Sequence, residues 1–128
     1  MSRILPLLLV LFIATGLSCK PTHLAPSSLT GKLVVDGPCG NYVIQVLQGK
    51  TEPGRIVGSW KDTLGNAVYT NVFTVQNICT FPEAGLKKGD VFTFEWDIVY
   101  AEPDCAVCQI YVPTPPVRNV LKNIQKVK

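Results

Sequence analysis

The residues best placed for chemistry in this chain are Cys105 and Cys108, which stand in Cys105-Ala106-Val107-Cys108, the spacing of a dithiol redox motif. Such a pair is reactive where its first thiol opens a helix after a strand, a setting that lowers the thiol pKa. Here Gln109-Ile110-Tyr111-Val112 follows and reads as strand, and a carboxylate at Asp104 would disfavour a thiolate beside it. A zinc centre needs four ligands in a tetrahedron, and the chain has a single C-x-x-C. Two thiols suit a soft ion such as Cu(I), but no Met or His stands near them. The pair therefore reads first as two half-cystines. Thiol redox or soft-metal handling by Cys105 and Cys108 is the alternative.

Other chemistry finds less to work with. A Ser-His-Asp or Cys-His site needs a positioned base, and the single histidine, His23, lies in a Pro- and Ser-containing stretch that reads as a solvated linker. Glu95 and Asp97 share a strand face, which alternation makes a solvated face rather than a sugar cleft. No P-loop or dinucleotide fingerprint is present. Tyr42, Trp60, Tyr69 and Trp96 offer stacking surfaces, with core packing the expected role for most of them. The expectation is a protein that is not an enzyme, with no cofactor and no metal.

The remaining cysteines depend on how the chain starts. Arg3 precedes an uncharged apolar run, residues 4–14, which is about half the length a spanning helix needs. The run ends in small residues: Ala14, Thr15 and Gly16, and then Ser18. Charge, short apolar run and small-residue exit are the parts of a secretory signal peptide, here residues 1–18. Gly16-Leu17-Ser18-Cys19 resembles the lipobox of a bacterial lipoprotein precursor, and Cys-Lys after a loose lipobox is similar to the Bacteroidota type. The departure is Gly16, where the pattern has Leu. That resemblance implies that Cys19 becomes the lipid-modified first residue of the mature protein, held in the cell envelope at the outer membrane. Ordinary cleavage with Cys19 left as a thiol is the alternative. The chain has five cysteines, and lipidation of Cys19 leaves an even set: Cys39, Cys79, Cys105 and Cys108.

In an oxidising compartment those four form two disulfides by default, and three pairings are open. A Cys105–Cys108 bridge requires a turn, because in an extended strand their Cα atoms stand roughly 10 Å apart. Residues 19–28, with Pro21, Pro26, Ser27 and Ser28, read as an anchored flexible tether. The body that follows is one small β-domain, residues 29–116. A basic tail, residues 117–128, carries Arg118, Lys122, Lys126 and Lys128. The net charge of +3 is too small to imply nucleic-acid binding.

Gly and Pro turns divide the body into about six short strands, expected over 31–36, 41–48, 55–60, 68–76, 91–100 and 107–112. Leu64-Gly65-Asn66 reads as a hairpin tip. In the fourth strand, Tyr69, Phe73 and Val75 are expected on one face, with Thr70, Thr74 and Gln76 on the other. The fifth alternates most clearly, Phe92, Phe94, Trp96, Ile98 and Tyr100 against Thr93, Glu95 and Asp97. The expected fold class is all-β, a small disulfide-stapled antiparallel sandwich or Greek-key (OB-like) barrel. The segments Gly37-Pro38-Cys39-Gly40-Asn41-Tyr42 and Cys79-Thr80-Phe81-Pro82, with the C-x-x-C, resemble small envelope lipoproteins of the same bacterial group. That likeness brings no activity with it. The functional expectation is a membrane-displayed β-module that binds an envelope or extracellular protein or glycan, or has a structural role there.

Overall fold

β-Branched and aromatic alternation builds six strands in the computed structural model, which describes residues 28–99, 105–108 and 110–128. In chain order they are β1 (Leu29–Gly37), β2 (Asn41–Gln48), β3 (Val57–Asp62), β4 (Ala67–Val75), β5 (Val91–Asp97) and β6 (Arg118–Lys126). Short 3₁₀ turns lie at Pro38–Gly40 and Phe81–Ala84. The β1–β2 turn bends through left-handed backbone at Cys39 and Gly40, with φ of 64° and 77°. Glycine is required at the second position on two counts. It takes the positive φ freely, and a Cβ there would press to 3.0 Å from Ile78 Cβ.

Pairing closes the sheet. β1 runs antiparallel to β2 and β5, β5 to β6, and β2 to β4, while β4 and β6 meet in parallel through Thr74↔Arg118 and Val75↔Asn119. The path β2-β1-β5-β6-β4 thus returns to β2 as a near-closed ring, with β3 attached to β4 outside it. That is the connectivity of an OB-type Greek-key barrel, one of the two architectures expected from the sequence. The fold is all-β and carries two disulfides, Cys39–Cys108 and Cys79–Cys105.

Inside the ring, Leu29, Leu33, Ile44, Phe73, Val75, Phe92, Phe94 and Leu121 form the core. The aromatic residues interlock: Phe73, Phe94 and Trp96 meet with ring centroids 5.0 to 5.8 Å apart, and Phe81 closes one side between Tyr42 and Phe92. Burying a phenylalanine side chain contributes about 1.5–3 kcal/mol, so Phe73, Phe92 and Phe94 dominate the interior. A second, smaller cluster lies apart from the main core: Val34, Val43 and Val72, partly covered by Val57, Trp60 and Tyr69.

Two local departures explain where strand alternation misleads. In β4, Asn71 has φ 55°, and both Val72 and Phe73 are fully buried, in different clusters. Tyr69 therefore packs on the smaller cluster and not with Phe73 and Val75, as the alternation had implied. Thr74 is fully buried and donates its Oγ1 hydrogen to the Pro115 carbonyl at 2.7 Å. In β5, strand pairing stops at Asp97, so Ile98 lies beyond the strand and is 90% exposed.

The chain's C-terminal part corrects the sequence reading most. The expected sixth strand over 107–112 is absent: Val107, Cys108 and Ile110 through Val112 lie in no strand. The basic tail expected over 117–128 is instead β6, so the β-domain does not end at residue 116. Val120 and Leu121 are buried, and the strand fills the gap between β5 and β4 with Arg118, Lys122 and Lys126 at its exposed positions. The signal segment 1–18, Cys19, the tether with His23, and residues 100–104 lie outside the described residues.

Candidate functional site

The two bridges converge on one connection, residues 98–117 between β5 and β6, of which 98–99, 105–108 and 110–117 are described. Each of its cysteines is tied to a different part of the barrel. Cys108 joins Cys39 in the β1–β2 turn, with Cα atoms 5.3 Å apart, and Cys105 joins Cys79 at 5.6 Å. Both separations are ordinary for disulfides. Of the three pairings open on sequence, the structure contains the nested one, and the Cys105-Ala106-Val107-Cys108 pair is not bonded to itself.

The barrel sides of both staples are firmly held. Cys39 sits in the tight turn where Asn41 Nδ2 donates to the Pro38 carbonyl at 2.6 Å. Cys79 belongs to a turn anchored by Asn77, whose Nδ2 donates to Thr80 Oγ1 and to the Leu121 carbonyl, both at 3.0 Å. Asn77 Oδ1 in turn accepts the Leu121 N–H at 3.0 Å. One asparagine thus joins the Cys79 turn to β6. At its C-terminal end the connection is fixed by the Thr74–Pro115 bond and by Thr74 N–H donating to the Val117 carbonyl at 2.9 Å.

What these anchors hold out is apolar. Ile98 and Tyr111 are about nine-tenths exposed, and Val99, Val107 and Ile110 are more than half exposed. All five of these large apolar side chains belong to the one connection between β5 and β6. Beside them lies a cleft of about 440 Å³, walled by the Cys39–Cys108 bridge, Ile78, Ile110, Tyr111 and Val112, with Arg118 on its rim. Among the described residues Arg118 makes no ion pair.

The other residues singled out by type are occupied locally. Glu95 accepts a hydrogen bond from Asn123 Nδ2, and Asp97 Oδ1 accepts the Val99 N–H at 3.0 Å, so the two carboxylates cap structure and do not face a cleft together. Tyr42 packs against Phe81, and burial with the nearby Asp36 charge pushes its phenol pKa up. Trp96 lies among the core phenylalanines under the Arg55 guanidinium, 5.6 Å from its ring. Arg55 is itself locked to buried Asn119, which accepts from Nη1 at 3.2 Å and donates to the Arg55 carbonyl at 2.7 Å. Trp60 and Tyr69 stack across the β3–β4 hairpin, half-buried on the smaller valine cluster.

Among the described residues, no three His, Cys, Asp or Glu side chains gather as a metal site. In the same residues no helix is long and apolar enough to cross a membrane. Sequence reasoning found the four cysteines but missed Ile110 and Tyr111 as surface residues, because it placed them in a strand. By residue type alone, the short apolar run Ile110-Tyr111-Val112 does not distinguish a strand from an exposed connection. No protein-family profile, curated protein or solved structure matches the chain.

Proposed function

We propose that this chain is a non-catalytic bacterial envelope lipoprotein, a small β-module anchored through a lipid on Cys19, which binds an envelope or extracellular protein or glycan through its stapled β5–β6 connection. The observation that carries the binding reading is the exposure of Ile98, Tyr111 and Ile110, at 90%, 89% and 67%, on a segment fixed by two disulfides. Pinning an apolar loop in advance removes part of the ordering cost of association. The signal-like start and Cys19 support the anchor, and two disulfides fit an oxidising compartment. Cys105 and Cys108 serve as half-cystines of separate bridges, which favours binding over the thiol-redox alternative.

The test uses the full chain expressed in a bacterial host. Its mature mass is expected to correspond to residues 19–128 plus acyl groups, and Cys19→Ala is expected to abolish both acylation and membrane recovery. A photo-cross-linking side chain at Tyr111 is expected to give a discrete adduct, where the same group at exposed Lys50 gives none. An unacylated mature protein removes the anchor from the proposal. Equal adducts from the two positions remove the stapled loop as the contact surface.

A further inference from the structure

The nested pairing has a chemical property that separate bridges lack. Cys105 and Cys108 are three residues apart, both are exposed, and neither lies in a strand, so no ladder of hydrogen bonds holds them apart. In a β-turn the first and fourth Cα atoms approach to less than about 7 Å, which overlaps the span a disulfide bridges. Their partners, Cys39 and Cys79, are half-buried on the barrel. An incoming thiolate therefore reaches the loop sulfur of either bridge more easily than the barrel sulfur.

We infer that a single two-electron reduction by a protein dithiol moves the cross-link into the loop, as Cys105–Cys108, and releases both staples together. The dithiol's thiolate attacks Cys105 Sγ, the Cys79–Cys105 bond breaks, and Cys79 leaves as thiolate and takes a proton. The second thiol of the dithiol then attacks the mixed disulfide, expelling Cys105 as thiolate while the reagent closes to its own disulfide. Cys105 attacks Cys108 Sγ, the Cys39–Cys108 bond breaks, and Cys39 leaves as thiolate and is protonated. The dithiol has given up two electrons and two protons, and the chain has gained two thiols, Cys39 and Cys79. Attack at Cys108 first leads by the mirror sequence to the same product. Exchange of this kind proceeds through mixed disulfides, at rates set by thiolate character and access.

Neither bridge joins two strands of the ring, and Pro115 and Val117 are held to Thr74 by hydrogen bonds of their own. What is freed is the apolar stretch before them, with the cleft whose wall the Cys39–Cys108 bridge forms. The inference concerns only the staples and stands apart from the anchor and from whatever the loop binds.

Partial reduction tests it. The oxidised protein is treated with one equivalent of dithiothreitol, quenched with acid, alkylated with N-ethylmaleimide and digested with trypsin. Peptides 33–50 and 62–87, holding Cys39 and Cys79, are expected to carry the label. Peptide 89–118 is expected unlabelled and two hydrogens lighter than its dithiol form. Retention of either native bridge in the two-thiol species overturns the inference, as does a mixture of only fully oxidised and fully reduced chains. The double variant C39S/C79S gives a second reading. Its peptide 89–118 is expected to be internally bridged after air oxidation, and two alkylatable thiols in a variant with the parent circular dichroism overturn the inference equally. Should that variant not fold, the partial reduction decides alone.

Discussion

At the scale of single residues, the side chains that look chemical are mostly fastening parts of the fold to one another. Asp90 is the clearest case. Its carboxylate accepts the Lys87 N–H at 2.9 Å at the turn into β5, and Lys126 Nζ from β6 stands 3.3 Å away. The Lys87 backbone hydrogen bond, the largest influence, lowers its pKa from the ordinary 3.8; desolvation comes next and opposes it, and the Lys126 hydrogen bond and charge lower it further. A carboxylate with a depressed folded-state pKa stabilises fully above its unfolded value and loses that contribution as pH falls through the lower one. The urea midpoint is therefore expected to fall in that acid window through Asp90, and Asp90→Asn is expected to flatten this part of the profile. Midpoints measured from about pH 7 down to about pH 2 check it; an unchanged acid slope in the variant removes Asp90 from the account. Asn77 and Asn119 do related work without charge, each using both ends of its amide to join β6 to a loop.

At the scale of elements, one residue of unusual backbone can redirect a whole strand. Asn71, at φ 55°, takes the left-handed region, where asparagine is tolerated and a β-branched side chain is strained. Asn71→Gly is expected to leave stability within about 1 kcal/mol. Asn71→Val is expected to cost roughly 1–2 kcal/mol or more, by backbone strain alone. Urea unfolding checks both, with a shift of midpoint at unchanged slope marking a change in stability. The same irregularity shows why only part of the fold was legible in the sequence. β2, with its unbroken Tyr42-Val43-Ile44 run, was read to the residue, and the hairpin tip at Leu64-Gly65-Asn66 fell where expected. β6 was read as a tail because Val120 and Leu121 are adjacent and Asn123, at φ 52°, interrupts the strand, so no period of two survives beside the lysines. The site was half legible for a related reason. Cysteine spacing marks which residues can be bridged, but which pairs form depends on chain ends brought together by pairings far apart in sequence.

At the scale of the whole molecule, the two bridges form a system whose energetics follow from the nesting. Cys79–Cys105 spans 26 residues and lies inside Cys39–Cys108, which spans 69. Each bridge stabilises by restricting the unfolded chain, in proportion to the logarithm of the loop it closes. Taken alone, the outer bridge closes the longer loop by far. With the inner bridge already made, the path from Cys39 to Cys108 short-cuts the 26 inner residues, and the effective outer loop is about 43 residues. With the outer bridge made, the inner one divides a closed ring, and its effective loop falls to roughly 16 residues. Chain-entropy scaling then gives roughly 4 kcal/mol for losing Cys39–Cys108 and roughly 3 kcal/mol for losing Cys79–Cys105. The paired variants C39S/C108S and C79S/C105S are therefore expected to differ by only about 1 kcal/mol in urea unfolding, the outer being the more damaging. A much larger difference would mean that one bridge also organises the folded barrel, and the reverse order would mean that the Cys79 turn depends on its staple as well as on Asn77. Because neither bridge joins one ring strand to another, both variants are expected to keep the closed sheet, seen as unchanged far-ultraviolet circular dichroism. The stapled connection, with Ile110 and Tyr111 on it, is where mobility is expected to rise, and hydrogen exchange there should quicken while β1, β2 and β5 stay protected.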